Sequence, residues 1–314
     1  MAGGRHETSG SAPVVVLAGG TGGAKLARGM LDVAGGELVV IANTADDLDI
    51  YGAYVSPDPD LVLWWLADRI DERGWGVRGD TFEVMDGLRE LGEDVWFHLG
   101  DRDLAASLQR RARLDAGARL TEALAELRAA LGVPARVLPM TDAPVRTRVR
   151  HDERWWSVQE YLIRAGGRPP VQDVDYEGAD AAAPPPEALE ALARARAIVI
   201  GPSNPVISIG PILAVPGMRE AIAQAGAPVV AVSPLVGGEV LKGPTAAFMA
   251  WAGRPLDAGG VAAAYDGVLD GLVADDRTNA VPTLLTDVLM DGETGRRRLA
   301  EETLRFADAL AAAR

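Results

Sequence analysis

The chain has 314 residues, 48% hydrophobic and 24% charged, which supplies a sizeable core and excludes a disordered or fibrous chain. Its formal net charge of −14, with basic residues scattered apart from Arg296-Arg297-Arg298, argues against nucleic acid as a partner, and it repels phosphorylated molecules unless a cation or N–H donors offset it. No cysteine means no disulfide, thiolate zinc site or cysteine nucleophile, and three dispersed histidines (His6, His98, His151) leave oxygen as the ligand for any metal, hence magnesium, calcium or manganese.

Residues 1–12 are small and polar with no apolar h-region, so they read as a flexible extension, neither signal peptide nor anchor. No apolar run reaches the roughly 18 to 20 residues that span a bilayer, so the expectation is a cytoplasmic protein with no membrane partner. An all-apolar strand at 14–18 stops at Gly19-Gly20-Thr21-Gly22-Gly23 and is followed by a helical pattern through Leu26, Met30 and Leu31. A second buried strand at 38–41 ends in Asn43-Thr44-Ala45-Asp46-Asp47. From 61 to 131 the apolar spacing is mainly helical, broken by Gly74-Trp75-Gly76 and His98-Leu99-Gly100-Asp101-Arg102-Asp103.

Strands are expected at 136–139, 145–150, 171–174, 197–200 and 229–232, with helices at about 187–196, 218–225 and 296–312. Pro184-Pro185-Pro186 belongs to a surface connection at 179–186, and there is no internal repeat. The alternation predicts an α/β fold, a Rossmann-like, doubly wound, mostly parallel sheet with an inserted, mainly helical lobe. The expected layout is a single domain over 13–314, with a core at about 13–60 and 134–314 and the lobe at about 61–133.

Gly20, Thr21, Gly22 and Gly23 between strand and helix suit a phosphate held by backbone N–H groups. The match to known loops is incomplete: Lys25 stands where a dinucleotide fingerprint has its third glycine, and Ala24-Lys25-Leu26 lacks the glycine and hydroxyl of a P-loop. A tight turn that merely packs strand on helix is the other reading. Lys25 favours an anion site, since a cation at a positive helix end is unfavourable alone. Asp46, Asp47 and Asp49, then Ser56-Pro57-Asp58-Pro59-Asp60, crowd carboxylates beyond the second strand, where a hard divalent cation could screen a diphosphate. Asp60 alone also reads as the N-cap of a helix beginning at Leu61. Ser203 and Asn204, in Gly201-Pro202-Ser203-Asn204-Pro205, present polar groups on a rigid turn, either as a ligand contact or simply as a turn. Trp75, between glycines, suits stacking on a flat ring.

These loops, with Asp80-Thr81-Phe82, Leu138-Pro139-Met140-Thr141-Asp142 and Ser208-Ile209-Gly210-Pro211, resemble in order and spacing the 2-phospho-L-lactate transferases and their bacterial phosphoenolpyruvate transferase counterparts, from about Val14 to the C-terminal helix. The resemblance implies a reaction of coenzyme F-420 biosynthesis. A guanosine diphosphate-activated three-carbon acid meets the deazaflavin Fo, whose ribityl hydroxyl attacks the phosphorus beside the acid, and GMP leaves. It further implies Mg2+ and a homodimer. Family motifs place deazaflavin contacts on Asp60 and His98, the latter a departure from the lysine that members often carry. On this reading Asp47 and Asp60 are the catalytic, metal-holding pair, one acid of the cluster accepts the hydroxyl proton, and Trp75 joins the deazaflavin site. Gly20, Thr21, Gly22, Gly23 and Lys25 hold phosphate, and Ser203 and Asn204 border the nucleotide. The Ala-, Arg- and Gly-rich composition hints at a GC-rich bacterial genome, and the resemblance then implies phosphoenolpyruvate, which bacterial members more often take. The alternatives are a non-enzymatic, nucleotide-sugar-binding regulator of the same superfamily, and a nicotinamide dehydrogenase. The second is disfavoured by the missing glycine and by Asn43 where that class carries an acid.

Overall fold

The computed structural model describes residues 12–314; the rest of the expected N-terminal extension lies outside the described residues. Strands β1 (Val14–Ala18), β2 (Leu38–Ala42), β3 (Arg136–Pro139), β4 (Ala197–Ile200), β5 (Val229–Val232), β6 (Gly271–Ala274) and β7 (Thr283–Leu285) form one sheet, in the order β7-β6-β5-β4-β1-β2-β3. Every pairing in it is parallel. Its central strands are apolar at every position because helices cover both faces. The side-chain period of two divides them between two cores. Val14, Val16 and Ala18 pack with α1 (Gly20–Ala34), α2 (Pro57–Leu66), α4 (Leu120–Ala130) and α5 (Gly292–Ala312), while Val15 and Leu17 face Leu192, Ile212, Met218, Ile222 and Val261. The helix between α2 and α4 that matters below is α3 (Asp101–Asp115).

From β1 the chain winds outward through β2 to β3, then returns to place β4 on the other side of β1. The carboxyl ends of β1 and β4 therefore flank the topological switch point, where ligands bind in such sheets. Gly19 and Gly201 are the residues that follow them.

Several expected elements take a different form. The glycine run is no loop: α1 begins at Gly20, so Gly20 to Gly23 are its first turn. Asp60 is no N-cap, because Pro57 starts α2 one turn earlier, with Ser56 at the cap and Asp58 and Asp60 in the first turn. The expected helical lobe is divided. Val62, Leu63, Leu120 and Leu124 belong to the main core under the sheet, and a small separate cluster gathers Ala53, Val55, Met85, Phe97, Leu99 and Leu104. The hairpin of Leu48–Ile50 and Ala53–Val55 emerges from the acidic segment. The strands expected at 145–150 and 171–174 leave the main sheet. They appear as Arg146–His151 and Asp173–Glu177 in a three-stranded antiparallel sheet with Arg154–Ser157.

No single helix among the described residues is long and apolar enough to cross a membrane. The bent pair Pro205–Ala214 and Met218–Gln224 passes on length and composition, but Ile209, Ile212, Leu213, Met218 and Ile222 are buried in the core.

Candidate active site

The two loops at the switch point touch. A Cβ on Gly22 would lie 2.0 Å from the Pro202 carbonyl oxygen, and one on Gly23 2.6 Å from Ser203 Oγ. Only glycine lets the first turn of α1 lie this close to the turn after β4, and the Gly19 N–H donates to Ser203 Oγ at 3.3 Å. The packing role of the glycines is thus real, and Gly23 is buried by it rather than facing open space. Gly20, Thr21 and Gly22 do line a cleft of about 380 Å³, together with Lys25, Ser203, Asn204, Ser208 and Lys242. First-turn N–H groups have no carbonyl partner within their own helix. That of Gly20 is taken by Asp58 Oδ1 at 2.7 Å.

Asn204 spends its side-chain oxygen on its own turn, accepting from the Val206 and Ile207 N–H groups at 2.9 and 3.2 Å, while its amide donates to Thr245 Oγ1 at 3.3 Å. Lys25 is half-buried; burial lowers its pKa, and the nearby charges of Arg296 and Lys242 push the same way against a smaller pull from Asp291.

A second cavity, also about 380 Å³, is lined by Asp60, Trp64, Trp75, Trp96, Phe97, His98, Asp103 and Gln159. It is a flat-ring pocket in its chemistry: four aromatic walls with a few polar groups. The His98 ring stacks on Phe82 at 4.3 Å and 11°, and the Arg73 guanidinium covers Trp75 at 4.3 Å. The spacing of Asp80-Thr81-Phe82 and Leu99-Gly100-Asp101 has a structural cause. Asp101 accepts from Thr81 Oγ1 and the Glu83 and Val84 N–H groups, and Asp80 accepts from the Arg102 and Asp103 N–H groups, so each acid caps the helix that the other's loop precedes.

The cavities share a wall. The helix Val158–Ile163 gives Leu162 to the cleft and Gln159 and Ile163 to the aromatic cavity. Behind it runs a hydrogen-bond chain: Gln159 Nε2 donates to Asp46 Oδ2 at 3.0 Å, Asn43 Nδ2 donates to Asp46 Oδ1 and Asp58 Oδ2 at 2.9 Å each, and Asp58 accepts from Gly20. Asn43, Asp46 and Asp58 in it are buried, and Gln159 is half-buried. Burial pushes Asp58 up to about 6 and raises Asp46 well above the usual carboxylate range, the Asp58 charge adding to burial there. Asp58 lines neither cavity itself and reaches the cleft through the Gly20 N–H.

Asp47 lines neither cavity. Its Oδ1 accepts from Ser56 Oγ at 2.8 Å, which fixes the turn opening α2, and burial, opposed by Arg146, sets its pKa at about 7. Asp60 lines the aromatic cavity, and its carboxylate is held by the buried guanidinium of Arg110, which also donates to the Tyr54 carbonyl at 2.9 Å. Burial raises the Asp60 pKa and Arg110 opposes it. Asp103 accepts from Trp64 Nε1 at 3.0 Å and is pushed to about 7 by burial and then by the Asp60 charge.

Asp47 and Asp60 therefore do not form a joint magnesium seat: Asp47 lines neither cavity and keeps a buried Oδ2 without a hydrogen-bond partner, while Asp60 is already paired with a guanidinium. Among the described residues no group of three or more acids and histidines is gathered for a metal. Arg110 and Gln159 escaped the sequence because a guanidinium on a charged helix and an amide after a tryptophan pair have no signature. Asn43 was visible beside the acids, but not as the bridge between two of them.

Residues 14–297 match the sequence model of the family described as 2-phospho-L-lactate transferase CofD. A 2-phospho-L-lactate transferase of Methanopyrus kandleri is 40% identical over 95% of the chain and 98% of its own length. A phosphoenolpyruvate transferase of Kitasatospora aureofaciens is 41% identical over 91% of the chain and 97% of its own length. A crystal structure of a UPF0052 family member from Bacillus halodurans superposes with a TM-score of 0.62 at 18% identity, covering 94% of this chain and 100% of that one, a likeness of fold.

Proposed function

The chain belongs to the 2-phospho-L-lactate transferase CofD family and is a transferase of that type, and from this premise we propose that it joins a three-carbon phosphoacid to Fo, taking the acid from a guanosine diphosphate-linked donor in coenzyme F-420 biosynthesis. The observation that carries the reading is the pair of cavities with one common wall, one glycine-floored and cationic, the other aromatic. The first suits a diphosphate and the second a flat ring, so two substrates with those parts would meet across the wall.

In the proposed reaction the terminal ribityl oxygen of Fo forms a bond to the phosphorus that carries the acid. The bond from that phosphorus to the GMP oxygen breaks, and GMP departs with the bonding pair. Asp58, buried behind the shared wall and tied to the cleft through Gly20, accepts the hydroxyl proton in its carboxylate form. Asp60, held in place by Arg110, accepts hydrogen bonds from the ribityl chain. Trp75 and His98 bracket the ring, and Asp47 acts by positioning the turn at Ser56.

Magnesium, implied by family resemblance, would come in on the diphosphate with phosphate and water ligands and supply charge screening there. A homodimer in the cytoplasm completes the proposal. The acid stays at the level of its class, since relatives named for phospholactate and for phosphoenolpyruvate are about equally similar.

The test is to incubate the protein with Fo, Mg2+ and each guanosine diphosphate-linked acid in turn and to weigh the products. A deazaflavin phosphodiester with matching GMP release is expected, and the two acids differ in mass by a pair of hydrogens. Absence of product with every donor, together with no quenching of Fo fluorescence, would return the chain to the regulator reading.

A further inference from the structure

Only two of the chain's 31 basic residues are lysines, Lys25 and Lys242, and both line the phosphate-side cleft. They come from distant parts of the fold. Lys25 rises from the second turn of α1, and Lys242 lies beyond the hairpin Leu235–Val236/Glu239–Val240, just before Gly243, whose φ of 84° turns the chain back. Everywhere else the chain uses the planar guanidinium. At these two positions it keeps the compact ammonium, whose three rotatable donors adapt to a phosphate without imposing a fork.

The surroundings leave both charges available. Among the described residues neither lysine takes part in an ion pair or a hydrogen bond, in a protein whose arginines are largely matched to carboxylates. A third cation stands close by. Lys25 Nζ lies 5.9 Å and Arg296 Cζ 5.1 Å from the centroid of the Trp65 ring, and Arg296, too, is without an ion pair among the described residues. The two share one aromatic face-partner rather than an acid. Two ammonium groups on the cleft and a guanidinium beside Trp65 repel one another, Asp291 offsets that only in part, and an anion entering the cleft would relieve it.

We propose that Lys25 and Lys242 form a two-ammonium clamp on the diphosphate of the donor, with Lys242 a phosphate-binding residue in its own right and Arg296 a supporting charge behind Trp65. The clamp rests on the transfer reading in taking the occupant to be a nucleoside diphosphate. It also accounts for how a strongly acidic chain receives such a donor where no preformed metal cage exists among the described residues.

Having only two lysines makes the test direct. Trace acetylation with acetic anhydride, read by peptide mass spectrometry, reports both side chains in one digest. GDP and inorganic pyrophosphate should each slow the labelling of Lys25 and Lys242 together, and guanosine should slow neither. Lys242→Ala should weaken GDP about tenfold to a hundredfold, the range for one charge-assisted hydrogen bond, with guanosine affinity unchanged. The clamp is overturned if Lys242 labels equally fast with and without GDP and pyrophosphate, or if Lys242→Ala binds GDP as tightly as the parent. The transfer reading fails separately: a protein that protects both lysines with GDP yet makes no Fo product keeps the clamp and loses the reaction.

Discussion

Replacing Arg110 with methionine removes the cation from a buried ion pair and leaves the rest of its volume filled. In the native protein the Arg110 and Asp60 side chains are 2% and 5% exposed, and the guanidinium also holds the Tyr54 carbonyl of the acidic hairpin. Deleting one partner of such a pair strands a charge away from water, which costs about 3 to 5 kcal/mol. Burial already raises the Asp60 pKa against the pull of Arg110, so in Arg110→Met it must rise further. The loss should therefore be largest at pH 8 and shrink towards pH 5, where a proton can neutralise the stranded carboxylate. Asp103 loses the same opposing charge and adds to the trend. Urea unfolding at both pH values measures the difference, and the double variant with Asp60→Asn should recover most of the loss at pH 8 because neither charge remains. A loss below about 1 kcal/mol at pH 8, or a double variant no more stable than the single, would refute the view that this pair is desolvated and mutually dependent.

Three more predictions concern the site. Asp58→Asn should lower kcat by about 10² to 10⁴, and in the parent the rate should fall as pH drops through about 6, because the acceptor must be ionised; a flat profile from pH 5 to 8 removes Asp58 from that role. Trp75→Ala should weaken Fo binding by about twofold to tenfold, the worth of one stacked ring, and leave GDP affinity unchanged, as fluorescence titration would read. Asp47, Asp58 and Asp103 have folded pKa values of about 7, 6 and 7, above their unfolded values, so their contribution to stability is complete below pH ~4 and is lost as pH rises through 6 to 7. Calorimetry should find a higher Tm at pH 5 than at pH 8, and the reverse order would contradict these buried environments.

The central sheet was legible because its strands are buried on both faces and read as unbroken apolar runs, Val14–Ala18 above all. Short strands were not: Leu48–Ile50 and Ala53–Val55 hold three residues each inside an acidic stretch, and Thr283–Leu285 lies at the sheet edge where one apolar face suffices. The glycine run was visible, but its closest constraint was hidden, since the Pro202 carbonyl that forbids a side chain at Gly22 comes from a strand far along the chain. The same holds for the acids. Asp46, Asp47, Asp58 and Asp60 could be seen to crowd together, yet the groups that distinguish them (Asn43, Ser56, Gln159 and Arg110) act through packing of α2, α3 and the helix Val158–Ile163, which spacing alone does not encode.

A crystal structure grown with Fo and GDP, the latter standing in for the nucleoside diphosphate of the proposed donor, tests most directly whether the two cavities hold their proposed occupants together. The account predicts both bound at once, the deazaflavin ring among Trp75, His98 and Asp60 and the diphosphate against Gly20, Lys25 and Ser203, with Asp58 between them. Ligands that exclude one another from a single cavity, or a diphosphate lodged among the aromatic walls, would contradict it.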